Sequence, residues 1–303
     1  MRIFVTGGSG WIGSAAVSEL LTAGHDVVGL AHSHSSARTI ATAGGEVRRG
    51  DVESLDVLRA GAADSEGVIH LAFRQDLGYT GHMDEAVALD RAAIQAIGEA
   101  LAGTDRPLVV ASVLALVPAA RPGLLTTERD FGDEGRALNE RAALALADQG
   151  VRSVSVRFAP TVHGDGDTGG LMPMIVAADR TAGSAAYIGD GTRRWPAVHR
   201  SDAAHLVRLG IEGAPAGSVL HAVGEEGIAQ LDVANAIGAG LNLPTTSIAA
   251  EQAESHFGFI AAFLTDMPAS NTLTRELVSW EPTGPGLIAD LEKDYYYYIR
   301  GGV

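Results

Sequence analysis

The 303-residue sequence contains no cysteine. That excludes disulfides, thiolate metal sites and a cysteine nucleophile. Lysine is almost as scarce, with Lys293 the single instance. No apolar stretch reaches the roughly 18–20 residues of a membrane span. Basic residues are outnumbered 22 to 37 by acidic ones, for a net charge of −15. Such a surface repels phosphate backbones and anionic membranes, so nucleic acid and membrane partners are not expected. Any phosphate must be held locally, by backbone N–H groups or a few arginines. The opening Met1-Arg2-Ile3-Phe4-Val5-Thr6-Gly7 turns to glycine too early for a signal peptide, and a cytoplasmic protein is the expectation. No pair of histidines has metal-ligand spacing, so no metal is expected.

With 46% hydrophobic residues, the chain can bury a substantial core. Its first half alternates short apolar runs with helical periodicity. Strands are expected at 3–6, 26–30, 46–48, 67–71, 107–112 and 153–157, and helices at 11–23, 83–101 and 137–147. This alternation predicts an α/β fold, a Rossmann-type doubly wound parallel sheet with a smaller C-terminal substrate cap. Residues 1–160 would form the dinucleotide-binding domain. Residues 161–303 would be mostly cap, with segments returning to the sheet. Helical patterns in that half fall at 201–211, 231–241 and 249–263. The run Tyr295-Tyr296-Tyr297-Tyr298 reads as a terminal segment packing on the body or on a neighbouring subunit.

Thr6-Gly7-Gly8-Ser9-Gly10-Trp11-Ile12-Gly13 lies between the first strand and the first helix. Gly7 suits the tight turn and Gly10 the close approach of backbone to a pyrophosphate, while Gly13 lets helix pack on strand. The helix N-terminus offers free N–H groups and partial positive charge to phosphates. At the end of the second strand Ala31 stands where NAD enzymes carry an acid for the ribose hydroxyls. His32, Ser33, Ser36 and Arg38 follow and can donate hydrogen bonds. NADP(H) is therefore expected in preference to NAD(H).

The Gly7-x-x-Gly10-x-x-Gly13 spacing resembles the extended and atypical short-chain dehydrogenase/reductases, including the NAD-dependent epimerase/dehydratases. Gly50-Asp51-Val52 resembles the segment that places a carboxylate near adenine. Val68-Ile69-His70-Leu71-Ala72-Phe73 resembles the fourth-strand end that lines the cofactor. Val156-Arg157-Phe158-Ala159-Pro160-Thr161-Val162-His163-Gly164 resembles the segment beside nicotinamide, and Val198-His199-Arg200-Ser201-Asp202 the opening of a later helix. The resemblance implies cofactor contacts from Gly7, Gly10, Trp11, Ile12, Gly13, Asp51, Val52, Leu71, Ala72, Phe73, Ser112, Pro160, Val162 and His163. It also implies a small-molecule substrate and a homodimer.

That family usually carries Tyr-x-x-x-Lys on the helix after strand five, the lysine lowering the tyrosine pKa and holding the ribose. Around Gly135-Arg136-Ala137-Leu138-Asn139-Glu140 there is neither tyrosine nor lysine. Either Arg136 or Glu140 aligns with the family lysine. Arginine stays charged and is a poor proton relay. Ser112, Tyr79 and His82 are the candidate catalytic groups. The family's phosphate-gripping arginine after Gly-Asp-Gly is replaced by Trp195, with Arg193 and Arg194 beside it. An apolar wall from Trp195, Phe73, Met172, Met174, Phe257 and Phe259 would favour a small apolar carbonyl compound. An NADP(H)-dependent oxidoreductase is the first reading. An epimerase or dehydratase and a non-catalytic dinucleotide sensor are the alternatives.

Overall fold

The computed structural model describes residues 1–116 and 125–297. Its strands are β1 (Arg2–Thr6), β2 (Asp26–Ala31), β3 (Glu46–Arg49), β4 (Gly67–His70), β5 (Pro107–Val113), β6 (Arg152–Phe158), β7 (Thr161–His163), β8 (Ala185–Ile188), β9 (Arg194–His199), β10 (Ser218–Ala222), β11 (Glu225–Ala229) and β12 (Thr245–Ile248). The helices are α1 (Trp11–Thr22), α2 (His34–Ala43), α3 (Leu55–Ala63), α4 (Gln75–Tyr79), α5 (Met83–Leu101), α6 (Gly135–Leu144), α7 (Leu171–Ala182), α8 (Arg200–Gly213), α9 (Gln230–Leu241), α10 (Ala253–Phe257), α11 (Thr272–Val278) and α12 (Leu287–Leu291).

Seven strands form one parallel sheet in the order β10-β6-β5-β4-β1-β2-β3. Successive side chains on a strand face opposite sides, and the apolar runs use both. Ile3, Val5, Ile69 and Val109 pack with Ala16, Val17 and Leu20 of α1 and Leu206 and Val207 of α8. Phe4, Val28, Val68 and Val110 pack on the other side with Leu58 of α3 and Ile94 and Ile97 of α5. Burial on both faces is why these strands read as continuous hydrophobic runs. The doubly wound α/β architecture expected from the alternation is the one found.

A third core holds the cap together. Met172 and Ile175 of α7 meet Trp195 of β9, Val233 and Ile237 of α9, and Phe257. Two small sheets, β11-β9-β7 and β12-β8, frame it. Trp195, Met172 and Phe257 are buried in this core, which corrects their assignment to a substrate wall. Their apolar character serves packing. The helix expected over 249–263 is broken instead: α10 stops at Gly258, where φ is 63°, and a 3-10 turn follows. Helices α2 and α3 were not anticipated, because their sequences are rich in small residues. Strand β10, from the C-terminal half, joins the sheet beside β6; its position has no local signal, since it lies far along the chain from that strand. Among the described residues no helix is long and apolar enough to cross a membrane.

The tyrosine run packs on the body as far as it is described. Tyr296 is buried, and the Tyr297 hydroxyl donates to the Leu291 carbonyl at 2.6 Å; Tyr298 lies outside the described residues. Beside them Asp290 joins α12 to β7. His163 Nδ1 donates to Asp290 Oδ2 at 2.8 Å, and Lys293 Nζ lies 3.2 Å from Oδ1. Burial pushes the Asp290 carboxyl up, but the hydrogen bonds from His163 and Lys293 outweigh it and bring it down to about 2. A carboxyl lowered in the fold contributes stability above its unfolded pKa and loses it as pH falls toward the folded value. Asp290→Asn is therefore expected to lower the urea midpoint at neutral pH. Its deficit relative to the parent should shrink as pH drops from about 4 toward 2. A deficit that stays constant over that window would refute this account.

Candidate functional site

In open α/β sheets ligands bind outside the carboxyl ends of the strands. Here the glycine-rich turn lies at the carboxyl end of β1, against the residues that follow β4. Gly7 has φ 70°, and a Cβ there would lie 2.7 Å from the Ala72 backbone nitrogen. A Cβ on Gly13 would lie 2.0 Å from the Gly7 carbonyl oxygen. At Gly7 and Gly13 the turn therefore packs backbone against backbone, between the residues after β4 and the start of α1. Gly10 is the N-cap of α1, with no side-chain cap bond. The first-turn N–H groups of a helix have no intrahelical acceptors, and with the helix dipole they make such an end a cradle for an anion. A dinucleotide pyrophosphate fits the chemistry of this cradle.

Trp11 and Ile12 open α1, but the Trp11 side chain is committed to the protein. Its indole Nε1 donates to the Val162 carbonyl at 2.8 Å, leaving only its backbone N–H for a ligand. Leu71 and Ala72 continue from β4 and are tied to Thr6: Leu71 N donates to Thr6 O at 3.2 Å, and Ala72 N to Thr6 Oγ1 at 3.3 Å. Behind them runs a buried polar chain. Thr6 Oγ1 meets His70 Nδ1 at 2.8 Å, His70 Nε2 meets Asp90 at 3.3 Å, and Asn139 Nδ2 donates to Asp90 at 2.7 Å. Burial raises the Asp90 carboxyl, yet His70 and the nearby Arg136 charge leave it below the usual carboxylate range.

The end of β2 carries no carboxylate: Ala31 is buried and His32 exposed. Ser33 is the N-cap of α2, and its hydroxyl accepts from Ser36 N at 3.0 Å in a capping box. Cap formation thus explains two residues that read as ligand donors. Arg38 is exposed on α2. Arg49, missed in the sequence, closes β3 and donates to the Ser33 carbonyl at 2.6 Å. The parallel pairing of Ala31 with Arg49 puts it there, a relation of register that no local motif encodes. Asp51 is exposed, and its carboxylate accepts from Ser54 Oγ at 2.8 Å and Glu53 N at 3.0 Å; the Ser54 bond is the main cause of its lowered pKa. Val52 is buried beside it.

On the nicotinamide side of such a fold, Ser112 is buried and pairs in register with Arg157 across β5 and β6. Pro160 is half-buried. The His163 ring is wholly buried, its Nδ1 bound to Asp290 and its Nε2 without a hydrogen-bond partner. Tyr79 and His82 are not brought to Ser112. Tyr79 is 61% exposed, its ring 5.9 Å from that of Phe259 across the mouth between sheet and cap. His82 precedes α5, with an exposed side chain 4.0 Å from Glu85.

Of Arg136 and Glu140, only one faces the crevice. Glu140 is buried and bound to Arg157 on β6 by two 2.9 Å hydrogen bonds. Arg136 stacks 3.9 Å above the Phe73 ring and donates to the Ala111 carbonyl at 3.2 Å. Its Nε is buried without a partner. Burial pushes this guanidinium below its usual range, against the opposing charges of Asp90 and Glu140. Among the described residues no cluster of three or more His, Asp or Glu suits a metal.

The NAD dependent epimerase/dehydratase family matches residues 3–118, which hold the glycine turn and the β4 end. An uncharacterized protein of Schizosaccharomyces pombe is 45% identical over 299 residues, 98% of this chain and 100% of that protein. The chain belongs to the NAD-dependent epimerase/dehydratase family. A UDP-glucose 4-epimerase from Thermotoga maritima, solved with UDP-glucose, shares the fold with a TM-score of 0.78 at 18% identity, over 99% of both chains. The 2'-dehydrokanamycin reductase of Streptomyces kanamyceticus is 29% identical over 211 residues, 67% of this chain and 56% of that enzyme. As an epimerase/dehydratase-family member the chain departs from the pattern in two places. Helix α6 holds neither tyrosine nor lysine. Arg193 and Arg194 face the cap, Arg193 donating to the Leu264 carbonyl at 3.3 Å and the Arg194 backbone N–H to Asp266 at 2.8 Å.

Proposed function

We propose that the protein is an NADP(H)-dependent oxidoreductase that reduces a small, largely apolar carbonyl or related compound. The acid-free end of β2 carries this reading. Ala31 presents nothing to repel a 2′-phosphate, and Arg49 lies against the N-terminus of α2, where helix dipole and guanidinium both favour an anion. The glycine cradle would hold the pyrophosphate. Arg136 would hold the nicotinamide ribose through its unpartnered Nε, with Phe73 keeping the guanidinium plane in place.

The nicotinamide, when bound, supplies the hydride. Arg136 stays charged and favours negative charge developing on a nearby substrate oxygen. Without a tyrosine beside it, the proton comes from water reaching the crevice, and positioning carries much of the acceleration. The similarity to a reductase supports net reduction. Phe73, Tyr79 and Phe259 offer the apolar surface. Engagement of Arg193 and Arg194 by the cap leaves no obvious grip for a nucleotide-sugar phosphate.

Titration of the purified protein with NADPH and NADH, followed by a panel of aldehydes and ketones, tests the proposal. NADPH is expected to bind about tenfold more tightly, a difference of about 1.4 kcal/mol. Arg49→Ser should remove most of that preference while leaving NADH unaffected. Equal affinities in the parent would defeat the cofactor assignment. Tight binding with no turnover on any carbonyl would make the protein a dinucleotide sensor. Interconversion of UDP-hexoses without net nicotinamide oxidation would make it an epimerase.

A further inference from the structure

Helix α8 and the glycine turn are joined by a guanidinium. Arg200 is the first residue of α8. Its Nε donates to the Trp11 carbonyl and its Nη2 to Ser14 Oγ, both at 2.6 Å. The guanidinium carbon sits 4.1 Å above the Trp11 ring. Ser14 Oγ in turn donates to the Gly10 carbonyl at 2.7 Å. From the other side the Val162 carbonyl accepts the Trp11 indole N–H. Trp11 is thus gripped by β7 and by α8, two elements from the second half of the chain.

We propose that Arg200 is a positioning residue for the dinucleotide, holding Gly10, Trp11 and Ser14 in the one arrangement that presents the α1 N-terminus to the pyrophosphate. The inference rests on the cofactor reading above. A glycine-rich turn has many accessible backbone states, and ordering it on binding costs affinity. Arg200 removes that cost beforehand, using donors of fixed planar geometry. Its charge also lies within the first turn of α1, where it offsets part of the repulsion between a dinucleotide and a chain of net charge −15.

Helix α8 contacts α1 elsewhere through different groups. Arg208 Nε donates to Glu19 of α1 at 2.8 Å, and Arg208 Nη1 to Glu212 on its own helix at 2.8 Å. The Glu19 bond holds helix to helix without touching the turn. It separates a role in docking α8 from a role in shaping the phosphate site.

The test compares the parent with Arg200→Gln, Arg200→Lys and Arg208→Gln. Each is titrated with NADPH and NADH, and with 2′-AMP and AMP, which lack the pyrophosphate. Arg200→Gln is expected to weaken the dinucleotides about tenfold or more while leaving the mononucleotides within about twofold. Arg200→Lys should fall between it and the parent, because it keeps the charge and loses the fork. Arg208→Gln should bind like the parent. Unchanged dinucleotide affinity in Arg200→Gln would overturn the inference. So would equal weakening of the mononucleotides, or an equal loss in Arg208→Gln. A parent protein that binds neither dinucleotide would defeat the cofactor reading, and this inference with it.

Discussion

Glu140→Ala is expected to destabilise the fold by about 3–5 kcal/mol, the usual cost of stranding a buried charge. Arg157, its partner, is fully buried. Besides Glu140, among the described residues, it has longer contacts to His221 Nε2 at 3.3 Å and the Thr127 carbonyl at 3.5 Å, and a stacking contact with Phe131. Ser155 Oγ also donates to Glu140, at 2.5 Å, and would lose its acceptor. Urea unfolding at pH 7 reads the change directly. The double variant Glu140→Leu/Arg157→Met should recover most of the loss, because neither member of the pair is then left as an uncompensated buried charge. A single variant as stable as the parent would show that water reaches Arg157 and that the pair contributes little to stability.

Gly13→Ala should have the largest effect on ligand binding. The added methyl would overlap the Gly7 carbonyl oxygen at 2.0 Å, and both atoms belong to backbone that cannot swing away. Either α1 lifts from β1 or the turn opens, at a cost of about 1–3 kcal/mol in overpacking. Both movements spoil the alignment of first-turn N–H groups with a phosphate. NADPH affinity is expected to fall by about two orders of magnitude, about 2.7 kcal/mol, measured by nicotinamide fluorescence. Near-normal affinity would mean that the dinucleotide does not use this turn.

The parts of the molecule legible in the sequence are those with local causes. Strands β1, β2, β4, β5 and β6 announce themselves as apolar runs because both faces of the sheet are covered. Helix α5 runs from Met83 to Leu101, as its periodicity predicts. The glycine turn was legible down to the separate duties of Gly7 and Gly13. What the sequence hid depends on neighbours distant along the chain. Arg49 gains meaning only from its register with Ala31. Arg136 and Glu140 lie on the same helix one turn apart, and only the buried Arg157 reveals which of them turns inward. Ser33 resembled a ligand donor because the same hydroxyl chemistry caps a helix. Trp195 and Met172 resembled a substrate wall because a cap core and a hydrophobic pocket draw on the same residue types.

Strand β10 and helix α8 have a bearing on how the protein is made. The face of the sheet carrying Ile3, Val5, Ile69 and Val109 is covered by α8 as well as α1. During synthesis β1–β6 are complete well before residues 200–222 emerge. Until then an apolar face and the open edge of β6 stay exposed, a condition that favours aggregation and delays productive folding. Closure then requires contacts spanning about two hundred residues, which slows the final step further. The nascent chain consequently passes through a long vulnerable interval, and the yield of native protein depends on how well that interval is shielded.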